Sequence, residues 1–149
     1  MLDETARGVF TIAVTPFRDN GELDLTSVDR MTDFYLSKGA TGLTVLGMMG
    51  EAGKLSADEA LAVIKRVVDR TDVPVIAGVS AAGFAPMRAL AQGAMDAGAA
   101  GVMVAPPHTL NTDAQIVGYF HGVAENLGSI PFVLQDFPLA TGVTIPVSV

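Results

Sequence analysis

The chain has 149 residues, half of them hydrophobic, with nine Lys and Arg against sixteen Asp and Glu and a formal net charge of −7. The scattered basic residues argue against a nucleic-acid partner, and the lack of cysteine excludes a disulfide framework. No apolar run approaches the roughly eighteen residues of a membrane span, and Met1–Thr5 lacks the features of a secretory signal. We expect a soluble, cytoplasmic protein with one core and no membrane partner.

Short runs of β-branched residues alternate with longer segments whose apolar residues recur at intervals of three and four residues. This is the pattern of repeated β-α units. The pattern predicts strands near residues 9–14, 42–46, 74–79, 101–105 and 131–135. It predicts four helices, near residues 26–38, 56–70, 85–97 and 112–126. The expected fold class is therefore α/β.

The ends of these helices carry capping residues. Ser56 opens a capping box, and Thr26 and Thr112 are placed to cap their helices. Gly39 and Gly98 stand where left-handed C-caps are expected. The local signals agree with the periodicity.

The chain also repeats every two β-α units. Gly39–Val45 is repeated as Gly98–Val104, and Val73–Ala77 as Ile130–Leu134. Interior layers of a (β/α)₈ barrel come from alternate strands, so barrel packing favours a two-unit repeat. The repeat predicts that residues 1–149 form the N-terminal part of one (β/α)₈ barrel domain, with about five strands and four helices.

A five-stranded flavodoxin-like sheet is the alternative for this length. Such a sheet normally finishes with a helix after its fifth strand, whereas here the chain continues as Thr144–Val149. A complete barrel needs about 250 residues. We therefore expect a truncated or partial barrel.

The segment Gly47–Glu51 follows an apolar strand and precedes a helix, and it contains the most informative residues of the chain. Gly47 and Gly50 let the backbone fold tightly and present its amides to one small anion. A plain tight turn, with Glu51 accepting bonds from loop amides, is the alternative. The spacing of a dinucleotide fingerprint and the Lys-Ser/Thr pair of a P-loop are both lacking. The predicted ligand is a carboxylate, bound by Gly47, Met48, Met49, Gly50 and Glu51.

Ligands of parallel α/β folds bind at the carboxyl ends of strands. Five such ends are expected to converge on one pocket: Thr15–Phe17, Gly47–Glu51, Gly78–Ser80, Pro106–His108 and Gln135–Pro138. Two prolines precede His108, and a histidine there suits a hydrogen-bond donor or an acid-base group, with an exposed loop residue as the alternative. His121 lies inside a predicted helix and is expected at the surface or the core edge. Ser80 lacks an evident base partner for a nucleophilic triad.

Metal and cofactor chemistry has little support in the sequence. The spacing of His, Cys and carboxylates does not indicate zinc. Glu51 and Asp136 could together hold a magnesium ion with water and substrate oxygens, but two carboxylates at strand ends are common. We predict neither a metal nor a cofactor.

Taken in order, the motifs form a known set. They are Val14–Phe17 with Asn20-Gly21; Gly47-x-x-Gly50-Glu51 with Leu55-Ser56-x-x-Glu59; Pro74–Val79; Ala97-Gly98-Ala99-x-Gly101 leading to Pro106-Pro107; and Pro138 with Thr141-Gly142. From about Gly8 onward, this combination resembles the dihydrodipicolinate synthase / N-acetylneuraminate lyase family.

The resemblance implies a (β/α)₈ barrel that acts as a class I lyase or aldolase, usually a homotetramer, so a homotetramer or dimer is expected here. It implies a small 2-oxo acid, such as pyruvate, bound as a Schiff base to a lysine on the sixth strand. Lys38, Lys54 and Lys65 do not match that position. These 149 residues alone are therefore not expected to run the reaction.

Several positions depart from the pattern that the resemblance implies. Met48 and Met49 stand where hydroxyl residues usually bind the substrate carboxylate, and Gln135 stands at the position of the proton-relaying tyrosine. Asp136 replaces an asparagine, and Ala140 replaces the arginine that binds the second substrate of the synthase. Another tyrosine, which commonly follows the fourth strand, is replaced around Pro107 and His108.

These departures favour a divergent class I lyase that acts on pyruvate or another 2-oxo acid and is not a true dihydrodipicolinate synthase. Gln135 cannot titrate, so His108 or Asp136 would be the substitute acid-base group. Two alternatives remain: a metal-dependent barrel aldolase that uses Asp136 and Glu51, and a non-catalytic barrel that binds a small carboxylate.

Overall fold

Five parallel strands alternate with five helices in the computed structural model, which describes residues 1–148. The strands are β1 (Phe10–Ile12), β2 (Gly42–Val45), β3 (Val75–Gly78), β4 (Gly101–Val104) and β5 (Phe132–Leu134). The helices are α1 (Leu25–Ser37), α2 (Ala57–Val68), α3 (Phe84–Asp96), α4 (Asp113–Leu127) and α5 (Pro138–Thr141), with a 3₁₀ turn at Ala52–Lys54. Within residues 1–148, the helices are all too short or too polar to cross a bilayer.

All predicted strands and helices are present, with small shifts of their ends, and two details differ from the sequence prediction. The structure adds α5, since a single helical turn is too short to reveal a period. The predicted N-cap Thr26 lies inside the first turn of α1, because that helix begins at Leu25. The cap is Asp24, whose carboxylate accepts the amide of Ser27 at 3.0 Å.

The other predicted caps are confirmed. The side chains of Ser56 and Thr112 each accept the backbone amide three residues later, and both helices have complete capping boxes. Gly39 and Gly98 have φ angles of 89° and 99°. This region of the Ramachandran map is strained for residues with a Cβ, so these glycines let the chain turn from a helix into the next strand.

The strands lie in the order β1-β2-β3-β4-β5, so each strand pairs with its neighbour in the chain. A flavodoxin-like sheet has the order 2-1-3-4-5, and the alternative is therefore wrong. Connections between parallel strands are right-handed. Because each connection here leads to the next strand on the same side, the connecting helices all lie on one face of the sheet. In agreement, α1 packs on α2, α2 on α3 and α3 on α4.

The main core lies between the sheet and this layer of helices. It includes fully buried side chains from both: Val28, Leu43, Val45, Ile64, Val67, Val102 and Val123. Side chains alternate along a strand, so Thr44, Ile76 and Met103 face the opposite, inner side of the sheet. The candidate site lies at the carboxyl ends of the strands, next to this inner face.

Two arginines of α2 and its C-terminus bind α1. Arg66 donates two hydrogen bonds of 2.6 Å to Asp29, and Arg70 donates bonds of 2.8 and 2.6 Å to Asp33. The hydrogen bonds from these arginines hold the pKa values of Asp29 and Asp33 below the usual range for aspartate. The ion pairs join neighbouring helices on the outer surface.

These lowered pKa values predict a loss of stability in acid. A carboxyl group with a lower pKa in the folded state stabilises the fold above its unfolded pKa of about 3.9, and that contribution disappears as the pH falls through the folded pKa. We expect the melting temperature of the full-length protein to fall more between roughly pH 5 and pH 3 than that of the double variant Asp29→Asn, Asp33→Asn. Equal falls would contradict the assignment.

Candidate functional site: a cleft at the carboxyl ends of the strands

The glycine loop, defined as Gly47–Glu51, folds into two overlapping turns. The amide of Gly50 donates to the carbonyl of Gly47 at 3.0 Å, and the amide of Glu51 donates to the carbonyl of Met48 at 3.1 Å. The amides of Gly47, Met48 and Met49 have no hydrogen-bond acceptor within residues 1–148. The prediction of an anion-binding loop is therefore narrowed to these three amides, since those of Gly50 and Glu51 bond inside the loop.

The residue before the loop and the last residue of the loop have a backbone conformation that is unusual for their residue type. Leu46 has a φ angle of 57° and Glu51 of 52°, and neither is a glycine. Such residues cost of the order of 1 kcal/mol or more and often occur at ligand sites. The strain is compatible with a functional loop, whose shape is imposed by its surroundings.

Two contacts hold the glycine loop against the top of the sheet. The hydroxyl of Thr15 donates to the carbonyl of Gly50 at 2.6 Å, and this bond is buried. The carbonyl oxygen of Leu46 crosses directly over Gly78 at the end of β3, where a Cβ would lie only 2.1 Å from that oxygen. Gly78 thus makes room for the loop, and Thr15 fixes its far end.

The buried bond from Thr15 can be tested with two matched variants. Thr15→Val keeps the shape of the side chain but leaves the Gly50 carbonyl without this donor, so we expect a loss of about 1 to 3 kcal/mol in the free energy of unfolding. If the glycine loop binds a carboxylate, as the sequence predicts, the affinity of the full-length protein for pyruvate as a probe should fall as well. Thr15→Ser, which retains the hydroxyl, should restore most of both quantities in urea denaturation and titration calorimetry.

A cleft of about 720 Å³ opens beside the glycine loop. Its lining comes from the ends of β2, β3, β4 and β5, whereas Thr15–Phe17 after β1, which was expected in the same pocket, is not part of it. The lining residues are Leu46, Gly47, Met48, Glu51, Ala52, Gly53, Lys54, Ser80, Ala81, Ala82, Met103, Ala105, Pro106, Pro107, His108, Thr109, Gln135, Ala140 and Thr141. Most of these side chains are apolar. Loops from four strand ends therefore border one open cleft, which is the candidate site.

Five of the predicted site residues line this cleft: Gly47, Met48, Glu51, His108 and Gln135. The other three do not. Met49 is exposed, Gly50 is buried, and Asp136 is exposed outside the lining. The structure thus brings the loop together with His108 and Gln135, but it leaves out Asp136.

Both predicted histidines are exposed. His108 lies in the loop after β4, at the edge of the cleft. It is exposed, as the alternative predicted, and it also lines the cleft, so a binding role stays a prediction. His121 is on the exposed side of α4, as expected. The backbone amide of Gln135 donates to the carbonyl of Val104 at 2.9 Å, and this bond holds Gln135 next to the end of β4.

The carboxylate of Glu51 forms an ion pair with the ammonium of Lys54, at the end of the 3₁₀ turn. The expected alternative, in which Glu51 accepts bonds from loop amides, is not observed. Within the described part of the chain, no cluster of three or more metal-binding side chains is present. Glu51 lines the cleft and Asp136 does not, so the cleft lining does not bring these two carboxylates together.

Sequence reasoning missed Lys54, Thr109 and Thr141 of the lining, and it did not foresee that Ser80 acts as a hydrogen-bonding group. The hydroxyl oxygen of Ser80 accepts the amide of Ala105 at 2.8 Å, which leaves its proton available for donation. Ser80 lies two residues after β3, within the strand end Gly78–Ser80 that was expected at the pocket. Lys54 gave no signal, because the 3₁₀ turn that brings it to the cleft has no sequence period.

A sheet with consecutive parallel strands, helices on one face and a cleft at the carboxyl strand ends defines this chain as the first part of a (β/α)₈ barrel. Residues 5–149 match the dihydrodipicolinate synthetase family. The chain belongs to this family, and the predicted fold and family are both confirmed.

Solved structures and curated relatives agree with this assignment. The crystal structure of dihydrodipicolinate synthase from Rhodopseudomonas palustris is 55% identical, with a TM-score of 0.89, and covers 93% of this chain and 47% of its own. YagE from E. coli K12, a family member solved in complex with pyruvate, is 31% identical with a TM-score of 0.81, over 91% of this chain and 46% of its own. The 4-hydroxy-tetrahydrodipicolinate synthase of Methanothrix thermoacetophila is 36% identical over 140 residues, 93% of this chain and 47% of that protein. The chain thus spans about half the length of these relatives.

Proposed function

We propose that the full-length protein is a class I lyase that condenses a lysine with pyruvate or another 2-oxo acid. The amine attacks the carbonyl carbon, water leaves, and the protonated imine withdraws electrons from the adjacent carbon. The observation that carries the proposal is the glycine loop of a lyase family, with the unpaired amides of Gly47 and Met48 on the cleft. Those amides would bind the substrate carboxylate.

The reactive lysine would lie on the sixth strand, where family resemblance places it. In support, β5 is one of the two edge strands of the sheet in residues 1–148, and its side chains Val133 and Leu134 are 39% and 42% exposed. A sixth strand would pair with this edge in a barrel and set its lysine beside the cleft. Lys54 also lines the cleft, but it is at the exposed rim and pairs with Glu51.

The departures from the family pattern support a second substrate different from that of dihydrodipicolinate synthase. Met48 offers no hydroxyl to the carboxylate, and the hydroxyl of Ser80 in the same cleft would supply a donor in its place. Gln135 would orient the substrate, and His108 would transfer protons. Ala140 leaves the cleft without an arginine at the position where the synthase resemblance expects one.

Borohydride reduction in the presence of pyruvate tests the Schiff base. We expect the full-length protein to gain one pyruvate-derived adduct by mass spectrometry, and peptide mapping to place it on the sixth-strand lysine. The Lys54→Gln variant should be trapped equally well. Absence of an adduct across a panel of 2-oxo acids, or an adduct on Lys54, would refute the mechanism.

Neither alternative function gains support from the geometry. A metal-dependent aldolase would need Glu51 and Asp136 in one site, whereas Glu51 pairs with Lys54 and Asp136 lies outside the lining. A non-catalytic binder would retain carboxylate affinity without trapping. We also propose that the full-length protein is a homotetramer or dimer, as the resemblance implies. A monomeric mass of the full-length protein in analytical ultracentrifugation would refute this oligomeric state.

A further inference from the structure

Two methionines from different strand ends line the cleft beside the glycine loop. Met103 belongs to β4 and faces the inner side of the sheet, where it is 6% exposed. Met48 lies within the glycine loop and is 37% exposed. Both are part of the cleft lining. Met103 is therefore a buried part of the lining, and Met48 is an accessible part.

The methyl group of Met103 lies close to the free amides of the glycine loop. A Cβ added to Gly47 would stand 3.5 Å from the methyl carbon of Met103 and 3.1 Å from a methyl carbon of Ile12 in β1. That Cβ position is two bonds of about 1.5 Å from the nitrogen of Gly47, so the Met103 methyl lies within about 6.5 Å of this amide. The next free amide belongs to Met48 itself. A ligand only a few atoms long can therefore contact a free amide and a methionine side chain together.

Several polar side chains of the lining already have hydrogen-bond or ion-pair partners. The Ser80 hydroxyl accepts the amide of Ala105 at 2.8 Å, and the Thr141 hydroxyl lies 3.2 Å from the carbonyl oxygens of Phe137 and Val143 as a donor. Glu51 pairs with Lys54. Alanine and proline supply seven more lining residues, which bring no polar side-chain atom. Much of the lining is therefore suited to an apolar ligand surface.

The size of the cleft also exceeds the needs of pyruvate. Its volume of about 720 Å³ lies in the range of about 300 to 1,000 Å³ that is typical of pockets for much larger small molecules. A three-carbon acid bound at the glycine loop would leave most of this space unfilled. A longer chain on the same acid would reach the apolar part of the lining.

We propose that Met48 and Met103 form an apolar subsite that selects 2-oxo acids with an uncharged, apolar chain beyond the carbonyl group. This inference rests on the proposed function, since it takes the glycine loop as the site of the carboxylate. The chain would lie along two thioether side chains, which are flexible and adapt to ligands of different shape. Burial of apolar surface then favours each added methylene group.

Straight-chain carboxylates test this subsite without Schiff-base chemistry, because acetate, butyrate and hexanoate have no ketone to condense with a lysine. In titration calorimetry with the full-length protein, we expect the affinity to rise about fourfold for each added methylene group. Adipate has the length of hexanoate but a second charge, and it should bind more weakly. An affinity that does not depend on chain length, or a preference for adipate, would overturn the inference.

Variants of Met48 test whether this side chain makes the contact. Met48→Ala should weaken hexanoate binding about tenfold and acetate binding less than about twofold, because the longer chain makes most of the contact with the methionine. Met48→Leu, which has a similar volume, should retain most of the hexanoate affinity. Leu139→Ala is the matched control, since Leu139 is an exposed apolar residue outside the lining. It should change neither affinity.

Equal losses for acetate and hexanoate in Met48→Ala, or unchanged hexanoate binding, would also overturn the inference. Failure of borohydride trapping alongside the expected dependence on chain length would refute only the proposed lyase chemistry. Successful trapping with no such dependence would refute only the apolar subsite.

Discussion

Gly78→Ala is expected to lower the free energy of unfolding of the full-length protein by about 3 kcal/mol. The added Cβ would stand 2.1 Å from the carbonyl oxygen of Leu46 and 2.7 Å from its carbonyl carbon. These are backbone atoms, so the glycine loop itself must move to relieve the overlap. The variant should therefore lose the proposed pyruvate binding together with stability, in calorimetry and urea denaturation.

Gly118→Ala is the control for Gly78→Ala. Gly118 lies within α4 and is exposed, and a Cβ added there would meet no atom within 4 Å apart from its chain neighbours and the backbone of its own helix. Alanine there should stabilise the helix by about 0.5 to 1 kcal/mol. A Gly78→Ala variant as stable as wild type, with unchanged pyruvate affinity, would show that the loop does not depend on this close approach.

Leu43→Ala is expected to have an effect of similar size, at about 3 kcal/mol of unfolding free energy. Leu43 is fully buried in β2, between the sheet and the helices, and a truncated side chain would leave a cavity in that core. Leu43→Ile, which conserves volume and suits a strand, should cost less than about 1.5 kcal/mol. Equal losses in the two variants would argue against a tightly packed core at this position.

The fold could be predicted from the sequence because its local signals agree with one another. Ser56 and Thr112 cap helices, Gly39 and Gly98 end them, and short β-branched runs mark the strands. These signals depend on neighbouring residues, so they can be recognised without knowing the tertiary structure. The two-unit repeat of the strands then favoured a barrel, and the strand order agrees with it.

The site was predicted less completely, because its details depend on contacts between distant residues. The placement of the loop needs Gly78, which is 31 residues beyond Gly47 (78 − 47). The pairing of Glu51 with Lys54 follows from a 3₁₀ turn without a sequence period. Asp136 was expected in the pocket because it follows β5, but its side chain lies outside the cleft lining.

A crystal structure of the borohydride-reduced pyruvate adduct of the full-length protein would test the central claim most directly. Our account predicts that the pyruvate carboxylate lies within hydrogen-bonding distance, about 2.7 to 3.2 Å, of the amides of Gly47, Met48 or Met49, and that the bond from Thr15 to Gly50 is intact. A carboxylate bound elsewhere in the barrel, with those three amides unpaired, would contradict it.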